Sequence, residues 1–306
     1  MTIAYLFPGQ GSQAVGMGKD LYDRSPEARA LFERADAALG YSISKLCFEG
    51  PEEELRLTPN TQPALLVTSV AAFRILGRDP DVAAGHSLGE YSALVAAGCL
   101  RFEDAVVLVH RRGRYMQEAV PVGAGVMAAV LGVPGEEIAR RLGEVRSGLV
   151  EIANWNSDDQ TVISGERAAV EEALALIKAP RSVMLPVSAP FHSRLMKPAE
   201  ERLAADLDAA AFADPRFPVI TNVDARPVRT GAEARDALKR QVSRSVQWTK
   251  TIAVLKDMGV EACVECGPGK VLAGLLKRAA RSWPKPPAIH NVEDAAGAEK
   301  ARAALA

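Results

Sequence analysis

The apolar residues fall into two textures. Short unbroken runs of strand length alternate with longer stretches whose apolar positions recur at helical spacing. Ile3 to Phe7 is the first run, followed by the turn Pro8-Gly9-Gln10-Gly11-Ser12-Gln13 and helical stretches through Leu39. Pro63 stands at the head of an apolar helix expected to reach about Leu76. A second strand, Val82 to Ala84, then passes through Gly85-His86-Ser87-Leu88-Gly89-Glu90 into a helical run to Ala97, and a further helix is expected from Phe102 to Ala119. Unbroken apolar strands alternating with helices predict a short parallel sheet covered on both faces.

From Gly123-Ala124-Gly125 to Pro186 the texture changes. Strands are expected at Val126–Leu131, Leu149–Ala153, Gln160–Ser164 and Ser182–Leu185, with helices at Glu136–Leu142 and Arg167–Ile177. This strand, helix, strand, strand, helix, strand order reads as a ferredoxin-like (α+β) unit. The expected organisation is a large α/β domain from residues 1–123 and 187–306, with a small subdomain of residues 124–186 inserted. The large domain resumes with a helix from Arg194 to Ala210, a strand at Pro218–Asn222, helices at Ala232–Ser243 and Thr249–Met258, and a strand at Ala262–Glu265. The turn Cys266-Gly267-Pro268-Gly269-Lys270 then opens a helix to Arg281, and the alanine-rich tail after Asn291 carries no site signal.

Composition narrows the classes. The chain has 306 residues, 48% hydrophobic and 25% charged, with a formal net charge of −1. That balance gives no basic footprint for nucleic acid, and no apolar stretch is long enough to span a bilayer. Four cysteines do not make a disulfide scaffold, and no apolar segment follows a basic start, so a reducing, cytoplasmic setting is expected. Cys263-x-x-Cys266 is a lone pair within a strand-like run and reads as structural. The four histidines show no ligand spacing, so no metal is expected.

Gly85-His86-Ser87-Leu88-Gly89 fits G-x-S-x-G between a strand and a helix, the setting of a nucleophile elbow. The two glycines allow a sharp turn that projects the Ser87 hydroxyl beside unpaired helix N–H groups. Serine needs a base. His86 is expected to point away at the elbow, His110 to lie on the polar side of its helix, and His290 in a proline-rich tail. His192, in Phe191-His192-Ser193 at a loop-to-helix junction, is the best candidate, and the helix dipole there favours a neutral imidazole. Arg112 falls inside the apolar arc of Phe102, Ala105, Leu108, Val109, Tyr115 and Met116. A core-facing arginine requires an anion, either a protein carboxylate or a substrate carboxylate gripped by the two-pronged guanidinium. Gly9-x-Gly11-x-x-Ala14 weakly fits a relaxed dinucleotide fingerprint and equally fits a turn presenting a backbone N–H to an oxyanion.

Phe7 to Gln13, Thr61-Gln62-Pro63-Ala64-Leu65, Gly85 to Glu90, Arg112-Gly113, Asn154-Trp155-Asn156-Ser157, Phe191-His192-Ser193 and Glu265 to Lys270 run in the order found in one family. Over about residues 1 to 283 the chain resembles the malonyl-CoA:acyl carrier protein transacylases, including the stand-alone acyltransferases of polyketide synthases. The resemblance implies a hydrolase-like α/β core with a ferredoxin-like subdomain and the active site between them. It implies Ser87 as acylated nucleophile and His192 as base, oriented by the backbone carbonyl of Gln241. It further implies backbone N–H groups of Gln10 and Leu88 as the oxyanion hole and Arg112 as the clamp on the malonyl carboxylate. The implied partners are malonyl-CoA, as substrate rather than cofactor, and an acidic acyl carrier protein. Arg194, Lys197, Lys270 and Lys277 are candidate docking cations, with a solvated face the stronger reading of each. A monomer is the implied state. The rival expectation is a serine hydrolase or acyl-thioester hydrolase using the same Ser-His pair.

Overall fold

A computed structural model of the chain describes residues 1–306 except Val122 and Ser188. Among the described residues the strands are β1 (Ile3–Phe7), β2 (Val82–Gly85), β3 (Gly125–Leu131), β4 (Val150–Ser157), β5 (Gln160–Glu166), β6 (Arg181–Met184), β7 (Val219–Ile220), β8 (Pro227–Val228), β9 (Ala262–Cys266) and β10 (Ala288–Val292). They form a large sheet in the order β10-β9-β1-β2-β7-β8 and a small one in the order β4-β5-β3-β6. The large sheet is parallel except at its β8 edge. The small sheet is antiparallel throughout, and its order is the ferredoxin-like one.

β1 explains why unbroken apolar strands were needed. Ile3, Tyr5 and Phe7 enter the core on one face of the large sheet, while Ala4 and Leu6 enter the core on the other. The same alternation separates the cysteine pair. Cys266 lies in the first core and Cys263 in the second, on opposite faces of β9, so the two thiols cannot act together. A third core fills the small subdomain around Val130, Ile138 and Ile163.

The two sheets are stitched together at one seam. Trp155 N–H donates to the Val246 carbonyl at 2.9 Å and Val246 N–H to the Ala153 carbonyl at 2.8 Å. The Thr249 hydroxyl adds a bond to the Trp155 carbonyl at 3.0 Å. β4 is thereby fixed beside the large domain, with Asn154 and Asn156 facing the cleft between them.

One expectation is corrected, elements absent from the expected set are added, and one rival reading falls. The apolar helix runs over Thr58–Leu76, so Pro63 lies inside it rather than at its head. Its missing N–H leaves the Pro59 carbonyl without the usual helical partner, and His110 Nδ1 donates to that carbonyl at 3.0 Å. His110, half-buried on the polar side of its own helix as expected, thus also repairs the neighbouring one. The tail is also structured: β10 extends the sheet beside β9, placing His290 opposite Val264. A helix over Ala295–Leu305 follows, capped by Asp294, whose Oδ1 accepts from Gly297 N–H at 2.7 Å. Finally, the next helix after β1 does not begin until Lys19. The Gly9–Gly11 turn thus has no helix start behind it, which removes the physical basis of a dinucleotide fingerprint. Among the described residues no helix is long and apolar enough to cross a membrane.

Candidate active site

β2 ends at Gly85 and the next helix begins at Leu88, which leaves His86 and Ser87 to make the whole turn. Ser87 sits at φ 51° and ψ −107°, a conformation that costs a non-glycine residue about 1–3 kcal/mol. The flanking glycines are required by contact: a Cβ on Gly85 would lie 1.9 Å from the Gly89 carbonyl carbon, and one on Gly89 would lie 2.0 Å from the Phe7 carbonyl oxygen. Side-chain amides hold the turn from behind. Asn222 Oδ1 accepts from Ser87 N–H at 2.6 Å and Asn222 Nδ2 donates to the Gly85 carbonyl at 2.7 Å. Gln241 Nε2 donates to the Ser87 carbonyl at 3.0 Å.

The Ser87 hydroxyl lies 2.7 Å from His192 Nε2, and His192 Nδ1 lies 2.9 Å from the Gln241 carbonyl oxygen. A carbonyl can only accept, so Nδ1 carries the proton and the Nε2 lone pair faces Ser87. His192 is only 4% exposed, and burial, followed by the nearby Arg112 cation, pushes its pKa down to about 3. The expected cause was a helix dipole. The 3-10 turn Arg194–Met196 and the helix Lys197–Ala209 do follow His192, but desolvation is the largest cause of the shift.

Arg112 is 1% exposed. Its Nη1 donates to Gln62 Oε1 at 2.7 Å, and its Nη2 donates to Gln241 Oε1 at 3.0 Å and to the Ser87 hydroxyl at 3.2 Å. The Tyr91 ring lies 5.5 Å from the guanidinium carbon. Among the described residues no carboxylate pairs with it, in contrast to Arg111, which reaches Asp206 at 2.7 Å. Of the two anions open to Arg112 from sequence, the protein carboxylate is absent among the described residues, and the amide oxygens of Gln62 and Gln241 accept from the guanidinium instead. Glu90, whose charge acts on Arg112, is fully buried and held by Asn222 N–H and Gln241 Nε2 instead. Burial raises its pKa to about 7 against those hydrogen bonds.

Gln10, Leu88, Ser87, His192 and Arg112 all line one cavity of about 90 Å³, walled on its small-subdomain side by Met127 and Leu185. That volume, roughly three waters' worth, suits a short acyl group. Among the described residues the backbone N–H groups of Gln10 and Leu88 donate to no protein acceptor, whereas Ser87 N–H is occupied by Asn222. Gly9 brings the first of them into place: a Cβ there would lie 2.4 Å from the His86 carbonyl oxygen, so only glycine lets this loop close on the elbow. His86 turns to the small subdomain, its Nε2 2.9 Å from Asn156 Oδ1, and takes no part in the Ser87 pairing.

All six residues expected at the site converge on it. Gln62, Asn222, Glu90 and the side chain of Gln241 were not anticipated; a long polar side chain within a largely apolar helical run was the available signal for Gln62 and Glu90. Of the four candidate docking cations, Arg194 pairs with Glu151, Lys197 with Glu200 and Lys270 with Glu293. Lys270 and Lys277 border a groove of about 630 Å³ beside the Val271–Ala279 helix, which none of the Ser87 cavity residues lines.

Comparison with known proteins agrees with this geometry. Residues 4–303 match the family described as acyl transferase domain. The chain is 50% identical over 287 residues to the malonyl CoA-acyl carrier protein transacylase of Bacillus subtilis strain 168, covering 91% of this chain and 90% of that protein. The enzyme of the same name from Escherichia coli K12 is 50% identical over 283 residues, covering 90% and 92%. Among solved structures, the malonyl CoA-acyl carrier protein transacylase of Coxiella burnetii superposes with a TM-score of 0.96 at 43% identity, covering 100% of this chain and 98% of that one. A malonyl-transacylase solved in complex with its type II PKS acyl-carrier protein superposes equally well, with a TM-score of 0.96 at 43% identity over 99% and 100% of the two chains. With a Ser-His pair, an unpaired buried arginine and this similarity along almost its whole length, the chain belongs to the malonyl-CoA:acyl carrier protein transacylase family of acyl transferase domains.

Proposed function

We propose that the protein moves a malonyl group from malonyl-CoA to the phosphopantetheine thiol of an acyl carrier protein through an ester on Ser87. The observation that carries the reading is Arg112: a buried guanidinium, without a protein carboxylate among the described residues, whose Nη2 lies 3.2 Å from the Ser87 hydroxyl. A free carboxylate two carbons beyond a reacting thioester is the anion that position suits, and an acetyl group has none. The names of the relatives and the carrier-protein complex of a structural neighbour support the same reading.

In the proposed cycle the Ser87 hydroxyl attacks the thioester carbonyl while His192 Nε2 takes its proton. Gln10 and Leu88 N–H groups receive the oxyanion, each worth about 3 kcal/mol in the transition state. Collapse expels the CoA thiolate, which leaves with the proton from His192. The carrier thiol then reverses these steps, its proton passing to His192 and its sulfur displacing Ser87. A malonyl carboxylate against Arg112 also offsets the cation that depresses His192, so the correct substrate strengthens the base that acts on it. No cofactor is called upon.

Intact-protein mass spectrometry after brief exposure to malonyl-CoA tests the proposal. The expected result is a malonyl adduct on the wild type and none on Ser87→Ala. An adduct that persists in Ser87→Ala refutes the assignment of the nucleophile.

A further inference from the structure

Glu90 reaches none of the reacting atoms, yet it is joined to three of the groups that do. It lies in the first turn of the Leu88–Ala96 helix, wholly shielded from solvent. Its Oε2 accepts from Asn222 N–H at 2.9 Å and from Gln241 Nε2 at 2.7 Å. Each partner passes the contact on. Asn222 Oδ1 holds Ser87 N–H, while Gln241 Oε1 receives Arg112 Nη2 at 3.0 Å and the Gln241 backbone carbonyl receives His192.

A primary amide has nearly the same shape in either of its two flipped orientations, so something must decide which end of Gln241 faces the guanidinium. The carboxylate decides it. With the NH₂ group drawn to Glu90 and to the Ser87 carbonyl, only the amide oxygen is left for Arg112. A flipped amide would set N–H against N–H there. Packing alone does not account for an acid at this position: Glu90 Oε1 is buried with no partner, a penalty that a leucine of similar size avoids. We propose that Glu90 is a positioning residue for recognition of the malonyl carboxylate: it orients the Gln241 amide, which seats Arg112, and through Asn222 it steadies the Ser87 turn. This inference rests on the acyl-transfer reading.

The test compares Ser87 loading rates from malonyl-CoA and acetyl-CoA in the wild type, Glu90→Leu and Glu90→Gln. Glutamine can place its Oε1 where Oε2 now accepts both bonds. Expected is a loss of about 30-fold in malonyl loading for Glu90→Leu, with the malonyl-to-acetyl ratio down about tenfold, and recovery to within about threefold of wild type for Glu90→Gln. An unchanged ratio in Glu90→Leu, or a glutamine variant as poor as the leucine one, overturns the inference. If Glu90→Leu does not fold, Gln241→Met takes its place. It keeps the backbone carbonyl for His192 but removes the relay, and it must lower the ratio similarly; an unchanged ratio there is equally fatal. A wild type that forms no malonyl adduct sinks the acyl-transfer reading itself, whereas a wild type that loads while the ratio stays fixed sinks only the role of Glu90.

Discussion

β2 passes through Gly85–Glu90 into the Leu88–Ala96 helix, and β9 passes through Cys266–Lys270 into the Val271–Ala279 helix. Each turn carries two glycines, each unit buries one glutamate completely, and burial lifts both carboxyls to about 7. They differ in what meets the new helix. Glu265 folds onto its own helix start, accepting from Leu272 N–H at 3.1 Å and Ala273 N–H at 2.8 Å. Glu90 faces the other way, toward Asn222 and Gln241, and Leu88 N–H stays open at the cavity. The lesson is that a strand-turn-helix unit offers an anion site only where the protein withholds its own acid from the helix start.

The two units differ most visibly at Arg112, which reaches the open unit from another helix, its Nη2 3.2 Å from the Ser87 hydroxyl. Arg112→Ala is expected to lower malonyl loading by about 10²–10³-fold, as for removal of one partner of a buried ion pair. Acetyl loading should hold or rise, so the preference collapses. Parallel loading assays with the two thioesters check this, and a variant that keeps its malonyl preference would break the assignment of the clamp.

A smaller effect, on stability, is expected at the turn itself. Gly89→Ala drives a Cβ to 2.0 Å from the Phe7 carbonyl oxygen, and such overpacking costs about 3 kcal/mol. Thermal unfolding should show a lower Tm, and an unaltered Tm would mean that the elbow is less tightly closed than the distances require.

The smallest effect sharpens the closed unit. Glu265→Gln should leave loading by the folded enzyme within about threefold of wild type and cost about 0.5–1.5 kcal/mol for the one helix-start hydrogen bond that an amide nitrogen cannot accept. Its pH dependence has a definite sign. The folded value of Glu265, about 7, lies above its ordinary 4.5, so the folded state keeps the proton longer. The stability this contributes is complete below pH 4.5 and is lost as pH rises through 7. Glutamine does not titrate, so the wild type's Tm relative to Glu265→Gln should fall across that window. Curves that stay parallel would contradict the buried, proton-holding carboxyl.

The open unit was more legible in sequence than what surrounds it. Gly85 to Gly89 announces a turn because the steric need for glycine is local, and Arg112 stands out because a charge interrupts an apolar helical arc. The amides left no such mark. Gln62, Asn222 and Gln241 matter through partners far away in the chain, and only folding brings those together. Pro63 was misplaced because its compensating donor, His110, comes from another helix. β10 was missed because five residues after a proline-rich stretch become a strand only where β9 offers an edge. Asp294, by contrast, was a readable cap ahead of the alanine-rich final helix.

The proposed cycle requires that Ser87 carry a malonyl ester on its way to a carrier thiol. Isolated malonyl-enzyme mixed with holo acyl carrier protein, with the intact masses of both followed over time, tests it most directly. The malonyl mass is expected to leave the enzyme and appear on the carrier faster than it is lost in buffer alone. Release as free malonate with the carrier unmodified would contradict it and make the enzyme a thioester hydrolase.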